Sequence, residues 1–137
     1  MDVTVVVIPR ERFSTSERSL TNLFAHTAQP FRLIYVSAGA PSAVQRYLEA
    51  ASQEMQFRLI TTGYLSPNRA RNVALREVTT EYVVFIDNDA LVTPGWLDGL
   101  VRCAEETRAA IVGPLYLIGE IEHKQIHMAG GTLHFMG

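Results

Sequence analysis

The stretch that decides the fold is Tyr82-Val83-Val84-Phe85-Ile86-Asp87-Asn88-Asp89, in which an apolar run leads directly into two carboxylates. Valine, isoleucine and aromatic residues in an unbroken run predict a strand that is covered on both faces of a sheet. If the strand continues through the polar residues, side chains two positions apart point the same way, so Asp87 and Asp89 share a face. The stretch therefore predicts a buried strand that ends in a polar edge.

Four further apolar runs repeat the character of this strand. The five runs begin 25 to 29 residues apart, close to the roughly 30 residues of one strand with its crossover helix. The stretches between them carry apolar residues at helical spacing. The sequence therefore predicts an α/β fold, a mostly parallel open sheet with helices on both faces. The other four predicted strands are residues 3–8, 32–36, 57–60 and 110–112.

The composition is that of one packed domain spanning residues 1–137, with 47% hydrophobic and 19% charged residues. The formal net charge of −2 gives no reason to expect nucleic acid or an anionic membrane as a partner. Cys103 is the only cysteine, so the chain forms no internal disulfide and a reducing, cytoplasmic location is the simpler expectation. We expect Cys103 to lie on the inward face of a helix, as part of the core. No segment approaches the roughly 20 apolar residues of a transmembrane helix, so membrane association would come through a longer parent protein.

The polar segments after the predicted strands should meet, because ligands of open parallel sheets bind beyond the carboxyl ends of the strands. Two neighbouring carboxylates such as Asp87 and Asp89 repel each other unless a cation lies beside them. Oxygen ligands suit Mg²⁺ or Mn²⁺, which keep several waters and bridge to substrate phosphates. The alternative is a simple turn, since Asp and Asn favour turns by bonding to their own backbone. The preceding strand and the following Pro-Gly-Trp-Leu helix start favour the metal site.

A second segment, Arg69-Ala70-Arg71-Asn72, lies where a helix is expected to begin. Free N–H groups and the helix dipole favour an anion there, and a guanidinium adds a bidentate clamp for phosphate. A solvated basic turn with Ala70 pointing inward explains the segment equally well.

With these residues in place, the chain resembles the family-2 glycosyltransferases of the GT-A fold. Residues 5–9, Val-Val-Val-Ile-Pro, are similar to the opening strand and proline of the family, and residues 68–74 are similar to its A-R-N segment. Residues 81–90 and 94–97 resemble its D-x-D strand and the helix after it. The resemblance implies a Rossmann-like, nucleotide-binding half that uses a UDP-, GDP- or dTDP-sugar. The sugar would pass with inversion to an acceptor hydroxyl, on a saccharide, lipid or protein.

The resemblance also implies roles for individual residues. Asp89 would coordinate Mg²⁺ or Mn²⁺, and Asp87 would contact the ribose or the water shell of the metal. Pro9 and the loop after it would cradle the base and ribose, while Arg71 would lie near the donor sugar or diphosphate. The predicted nucleotide-sugar-binding set is Pro9, Arg10, Glu11, Ser37, Arg71, Asp87 and Asn88, and the predicted metal ligands are Asp89 and Asp87.

Two departures from the family pattern concern nucleotide recognition. The family usually has an aspartate after the second strand, where this chain reads Val36-Ser37-Ala38-Gly39. The loop after Pro9 reads Arg10-Glu11-Arg12, where the family often has an aromatic residue and an asparagine. We therefore expect altered recognition of the nucleotide, supplied partly by Glu11.

The catalytic base is the larger gap. Inverting transfer needs a carboxylate to deprotonate the acceptor hydroxyl, and in this family the base lies in the acceptor half. After Gly113 only Glu120 and Glu122 are candidates, by elimination, so no catalytic residue is assigned. The sequence stops at Gly137 without a closing element, and we expect a chain truncated on its acceptor side.

Two other functions stay open at this point. A nucleotidyltransferase shares a similar sheet and metal use, but it would show a glycine-rich basic loop after the first strand, and residues 9–13 contain no glycine. A non-catalytic nucleotide-sugar-binding or interaction module is compatible with the missing aspartate and the missing base.

Overall fold

The computed structural model describes residues 2–10, 12–119 and 124–131. Its internal contacts divide the chain into two compact units, Met1–Pro94 and Gly95–Gly137. The expected single domain of residues 1–137 stays a prediction.

The first unit contains a four-stranded parallel sheet. Its strands are β1 (Val3–Ile8), β2 (Arg32–Ala38), β3 (Arg58–Thr62) and β4 (Tyr82–Asp87), in the spatial order β3-β2-β1-β4. Val5 of β1 lies opposite Leu33 on one side and Val84 on the other, and this register runs along the strand. All four carboxyl ends therefore open on the same edge of the sheet.

Three helices connect the strands and cover the sheet on both faces: α1 (Ser16–His26), α2 (Ser42–Glu54) and α3 (Pro67–Leu75). Pro67 stands at the first position of α3, where its missing N–H costs no helical hydrogen bond. Ala70 and Ala74 of α3 pack on one face of the sheet in a fully buried cluster. These small residues let the helix backbone approach the strands closely.

The other face of the sheet is covered through aromatic contacts. Phe24 of α1 lies 5.5 Å from Phe31 and 6.4 Å from Phe57, measured between ring centroids. Tyr35 of β2 lies 6.2 Å from Phe57 by the same measure. Burial raises the pKa of the Tyr35 phenol to about 12, because a charged phenolate loses its hydration there.

The strands in the first unit confirm the α/β prediction, with differences at their ends. β1 is buried along its whole length, as expected of a strand covered on both faces. β4 lies at an edge of the four-stranded sheet, and its burial alternates, leaving Val83 and Phe85 partly exposed. Continuous apolar sequence therefore overestimated the burial of β4.

The second unit contains α4 (Trp96–Thr107) and an antiparallel pair, β5 (Tyr116–Ile118) and β6 (Gln125–Met128). The predicted strand at residues 110–112 was wrong, since this segment has no regular structure and Ile111 is exposed. The core assignment of Cys103 was also wrong, because the thiol is exposed. The buried residues of α4 are Leu97 and Val101, and Cys103 lies two positions further on, turned away by about 100° per residue. Within the described residues, no helix is long and apolar enough to cross a membrane.

Candidate functional site

The candidate site begins where β4 ends. Asp87 is the last residue of the strand, and Asn88 and Asp89 form a turn that closes with the Ala90 N–H donating to the Asp87 carbonyl at 3.2 Å. The strand therefore ends at Asp87, and the condition under which the sequence placed Asp87 and Asp89 on one strand face is not met. The side chain of Asp89 is nevertheless exposed at the edge, while that of Asn88 between the two carboxylates is buried.

Helix α1 holds the segment that follows this turn. The Ser19 hydroxyl donates to the Ala90 carbonyl at 2.6 Å, and the Asn22 side-chain oxygen accepts from the Val92 N–H at 2.7 Å. These bonds satisfy backbone groups that would otherwise lie unpaired outside the sheet. The turn with the two carboxylates is thus held by β4 before it and by the bonds of α1 to the segment after it.

Two arginines from different elements converge on Asp87. Arg10, in the loop after β1, places Nη1 3.5 Å from Oδ2 of Asp87. Arg71, in α3, places Nη2 4.0 Å from Oδ1 of the same carboxylate. Both separations exceed the roughly 2.7–2.9 Å of a strong charge-assisted hydrogen bond. The guanidinium groups are therefore held beside the carboxylate without being closely bound to it.

The electrostatic environment of Asp87 reflects all of these neighbours. Burial raises the pKa of its carboxyl most, and the charge of Asp89 raises it further, whereas Arg10 and Arg71 lower it. The net shift of the pKa is upward. A carboxylate in this position gains from any additional positive charge, because the added charge favours its ionised form.

Arg71 is oriented by two neighbours that sequence reasoning missed. Asn68, one turn earlier in α3, accepts a hydrogen bond from Nη1 of Arg71 at 2.8 Å. The guanidinium also lies over the ring of Phe85, with its central carbon 6.0 Å from the ring centroid, a distance at which a cation is attracted to the ring face. The three-residue spacing of Asn68 and Arg71 was a usable signal, whereas the contact with Phe85 depends on the tertiary fold.

The side chain of Asn88 is fully buried, and its oxygen and its amide group both form hydrogen bonds within the protein. Its oxygen accepts from the Arg10 backbone N–H at 3.1 Å, and its amide donates to the Arg12 carbonyl at 3.0 Å and to the Ser16 hydroxyl at 3.3 Å. The sequence assigned Asn88 to the ligand. The structure instead gives it internal partners, so we do not assign it a direct ligand contact.

The remaining predicted residues differ in their accessibility. Ser37 is buried at the end of β2, and its hydroxyl donates to Gln45 of α2 at 2.6 Å. This internal bond leaves Ser37 unsuited to the ligand contact expected of it. Pro9 is buried directly after β1, so its contribution would be to the shape of the loop. Glu11 lies outside the described residues, as do the candidate bases Glu120 and Glu122.

Tyr64 is a further residue at this edge that the sequence did not single out. It follows β3 and is 83% exposed. Its backbone packs close to Gly39, in the loop after β2, where an added Cβ would lie 3.3 Å from the Tyr64 N and Cα atoms. Gly39 has a φ of +73°, a conformation that glycine adopts without strain. The loops after β2 and β3 therefore support an aromatic ring that projects into solvent.

Known proteins match most of the length of this chain. The family model described as Glycosyl transferase family 2 matches residues 4–133. The chain belongs to glycosyl transferase family 2. One relative of this family-2 chain is the succinoglycan biosynthesis protein ExoM of Rhizobium meliloti (strain 1021), which is 27% identical over 84% of the chain. Another is the pre-mycofactocin glycosyltransferase of Mycobacterium tuberculosis, which is 29% identical over 82% of the chain. The chain spans 38% of the first relative and 23% of the second.

Solved structures share the fold of this family-2 chain. The mannosyltransferase PcManGT from Pyrobaculum calidifontis, solved in complex with GDP-Man and Mn²⁺, has a TM-score of 0.61 and 24% identity over 74% of the chain and 32% of its own length. TarS 1–349 of S. aureus, solved in complex with UDP, has a TM-score of 0.57 and 22% identity over 79% of the chain and 33% of its own length. At these identities the likeness is one of fold, and the fold is the GT-A type, as the sequence predicted.

The family-2 site offers oxygen ligands suited to a hard cation. Within residues 2–10, 12–119 and 124–131, no group of three or more His, Cys, Asp or Glu is arranged to enclose a metal. Asp87 and Asp89 provide carboxylates at an open edge, where burial raises the pKa of Asp87 and the charge of Asp89 raises it further. Such a set fits Mg²⁺ or Mn²⁺, which bind few carboxylates and fill the remaining positions with water and substrate phosphates. Asp87 and Asp89 are therefore suited to hold one of these divalent cations.

Proposed function

We propose that this chain forms the donor site of a metal-dependent glycosyltransferase that binds a nucleotide-diphosphate-sugar and serves transfer of the sugar to an acceptor hydroxyl. One observation carries the proposal. Arg10 and Arg71, from separate elements, converge on Asp87 beside the exposed Asp89, at the carboxyl edge of a parallel sheet. Open α/β sheets bind ligands at this edge.

The balance of charge supports a diphosphate accompanied by a divalent cation. Arg10, Arg71, Asp87 and Asp89 together carry two positive and two negative charges. A diphosphate and a divalent cation bring opposite charges that largely cancel, so the loaded site would also stay near neutral. The diphosphate alone or the cation alone would leave an uncompensated charge in a partly buried site, which costs free energy. We therefore expect nucleotide and cation to bind cooperatively.

The two arginines would serve the diphosphate. At 3.5 and 4.0 Å from Asp87, their guanidinium groups can turn toward phosphate oxygens over a short distance and bind them in a bidentate manner. The pairing with Asp87 keeps them in place before the ligand arrives. As the bond between the sugar and the diphosphate breaks, negative charge grows on the leaving group, and pre-placed cationic side chains stabilise that charge.

Asp89 and Asp87 are the residues that would hold Mg²⁺ or Mn²⁺. When bound, the cation would supply further neutralisation of the charge on the departing nucleoside diphosphate. The mannosyltransferase of the same fold was solved with GDP-Man and Mn²⁺, which supports the use of a divalent cation together with a nucleotide-sugar.

The base end of the nucleotide would rest near Tyr64. In the order β3-β2-β1-β4, the ends of β3 and β4 are separated by three strand spacings, or about 14 Å. An extended nucleoside diphosphate with its phosphates near Asp87 can reach toward the loops after β2 and β3. The exposed ring of Tyr64 offers a planar face for stacking, which every base can use. This contact would stand in for the aspartate that the family usually places after β2.

We expect transfer with inversion, with the catalytic base on the acceptor side and outside the described residues. The acceptor classes open to this function are saccharide, lipid and protein, and nothing in the donor site selects among them. Membership of glycosyl transferase family 2 favours sugar transfer over nucleotidyl transfer. A binding module without catalysis predicts the same donor affinity, so activity with a complete parent protein separates the two.

Calorimetry tests the donor site directly. UDP, GDP and dTDP are each titrated into the chain with Mn²⁺, with Mg²⁺ and with EDTA. The proposal expects at least one nucleotide to bind only when a divalent cation is present. If none of the three binds with either cation, or if binding is equal in EDTA, the proposed donor site is wrong.

A further inference from the structure

Asn88 stands in the middle of the two carboxylates, yet its side chain faces the interior. It is fully buried, and its three hydrogen bonds go to residues 76, 78 and 72 positions away in the sequence. All three partners lie in the segment from Arg10 to Ser16. Its backbone N–H donates to the carbonyl of Ile8 at 2.9 Å, which extends the pairing of β1 with β4 by one more bond.

The chemistry of these bonds selects asparagine. The site requires one acceptor for the Arg10 N–H and donors for the Arg12 carbonyl and the Ser16 hydroxyl, and a carboxamide provides one oxygen and two N–H groups. Aspartate would lose the donors and add a third negative charge between two others. Alanine would leave the Arg10 N–H and the Arg12 carbonyl without this partner, and an unmade hydrogen bond costs stability even where the groups are partly buried.

These contacts connect Asn88, Arg10 and Asp87 to one another within the candidate donor site. Asn88 holds the backbone of Arg10, the side chain of Arg10 reaches Asp87, and Asp87 precedes Asn88 in the chain. The position of the Arg10 guanidinium is therefore set by the same turn that carries the two carboxylates. A shift of the turn moves the arginine and the carboxylates together, so their spacing is preserved.

The geometry points to Asn88 as a positioning residue that fixes the Arg10 loop against the carboxylate turn and so sets the affinity for a nucleoside diphosphate. Asn88 acts through Arg10 and does not touch the ligand. This inference rests on the proposed donor site. It differs from a general stabilising role, because its effect on binding depends on the presence of the Arg10 side chain.

A double-mutant cycle tests this dependence, with binding of the preferred nucleoside diphosphate and Mn²⁺ measured by calorimetry on the 137-residue chain. Asn88→Ala is expected to weaken binding about tenfold, the effect of one lost bond of about 1.4 kcal/mol. In an Arg10→Ala background, the same change is expected to weaken binding less than about threefold, since coupled residues show non-additive effects. Asn88→Ser, which can serve only part of the hydrogen-bond set, should fall between wild type and Asn88→Ala, and it provides the measurement if Asn88→Ala does not fold.

The matched control is Thr80→Val, at the opposite end of the same pair of strands. The Thr80 hydroxyl lies 2.7 Å from that of the buried Thr4, so this variant also removes an internal hydrogen bond between distant segments. It should lower the melting temperature without changing nucleotide affinity. Equal weakening by Thr80→Val, or an undiminished tenfold effect of Asn88→Ala in the Arg10→Ala background, would overturn the inference.

Failure of the proposed function gives a different result. A wild-type chain that binds no nucleoside diphosphate with Mn²⁺ or Mg²⁺ removes the donor site, and the inference with it. If the wild-type chain binds the nucleotide and both Asn88→Ala and Asn88→Ser bind it with wild-type affinity, the donor site is retained and only the positioning role is overturned.

Discussion

The guanidinium of Arg71 lies over the ring of Phe85, with its central carbon 6.0 Å from the ring centroid. Phe85 is two residues before Asp87 on β4, so the two side chains point to the same side of the strand. The ring face and the carboxylate therefore attract the same cation, the first through its quadrupole and the second through its charge. An exposed aromatic residue on an edge strand thus helps to orient an arginine at the candidate donor site.

Replacement of Asp89 by asparagine should abolish the metal dependence of nucleotide binding. Asp89 is the exposed member of the carboxylate pair, and a neutral amide is a poorer ligand for a hard divalent cation. The melting temperature should stay close to that of wild type, because exposed charges contribute only about 0–1 kcal/mol to folding. Calorimetry with and without Mn²⁺ and thermal denaturation measure the two effects.

The control for Asp89→Asn is Asp2→Asn. Asp2 is also an exposed aspartate, but it stands just before β1 at the opposite edge of the sheet, 3.9 Å from Arg32. Asp2→Asn should leave nucleotide binding unchanged. Retained metal dependence in Asp89→Asn would place the cation elsewhere.

Replacement of Arg71 by alanine should weaken a nucleoside diphosphate by about 10- to 100-fold, the equivalent of about 1.5–3 kcal/mol for hydrogen bonds to a charged group. Binding of the bare nucleoside should change little, since only the phosphates would face the guanidinium. Parallel titrations of the nucleoside and its diphosphate make the comparison, with Arg32→Ala as the control at the far end of the sheet. Equal losses for both ligands would mean that Arg71 has a structural role.

Replacement of Tyr64 by alanine should weaken the nucleoside and the nucleoside diphosphate by the same factor. Loss of one stacking contact corresponds to about 1–3 kcal/mol, or roughly 5- to 150-fold in affinity. Tyr64→Phe keeps the ring face and should bind like wild type. Because Tyr64 is 83% exposed, neither variant should lower the melting temperature. Wild-type affinity in Tyr64→Ala would exclude a base contact at this position.

The ion pair between Arg58 and Glu77 should make a small, pH-dependent contribution to stability. Arg58 Nε and Nη2 donate to the two carboxylate oxygens at 2.6 and 2.9 Å. The hydrogen bonds from Arg58 lower the pKa of Glu77 below its ordinary 4.5. The stabilisation is therefore complete above pH 4.5 and is lost as the pH falls through the lowered pKa in the folded state. Both groups are largely exposed, so it should not exceed about 1 kcal/mol.

Thermal denaturation of Glu77→Gln across a pH series checks this sign. Its melting temperature should lie slightly below that of wild type at pH 7, and the two curves should converge in acid. Glu81→Gln, an exposed change in the same connection between α3 and β4, serves as the control. A difference that grows as the pH falls would contradict the assignment.

Local patterns in the sequence were sufficient for the alternation of strands and helices. Continuous apolar runs gave four of the strands to within two residues at each end, because strand formation there follows from side chains that must be buried. The same logic failed at residues 110–112, where the apolar run was short and Ile111 is exposed. It also assigned Cys103 to the core, although the residue is exposed, because the buried face of a helix depends on what the helix packs against.

The sequence by itself determined the parallel α/β framework, the family, and the presence of two carboxylates after a strand. These depend on the order of residue types along the chain, which hydrophobic spacing and motifs record directly. Only the tertiary structure decided that Asn88 turns inward, that Ser37 is bonded to Gln45, and that Arg10 and Arg71 meet at Asp87. The partners of Asn88 lie more than 70 residues away. Such contacts are fixed by strand order and by the need to satisfy buried polar groups, and no local pattern records either of them.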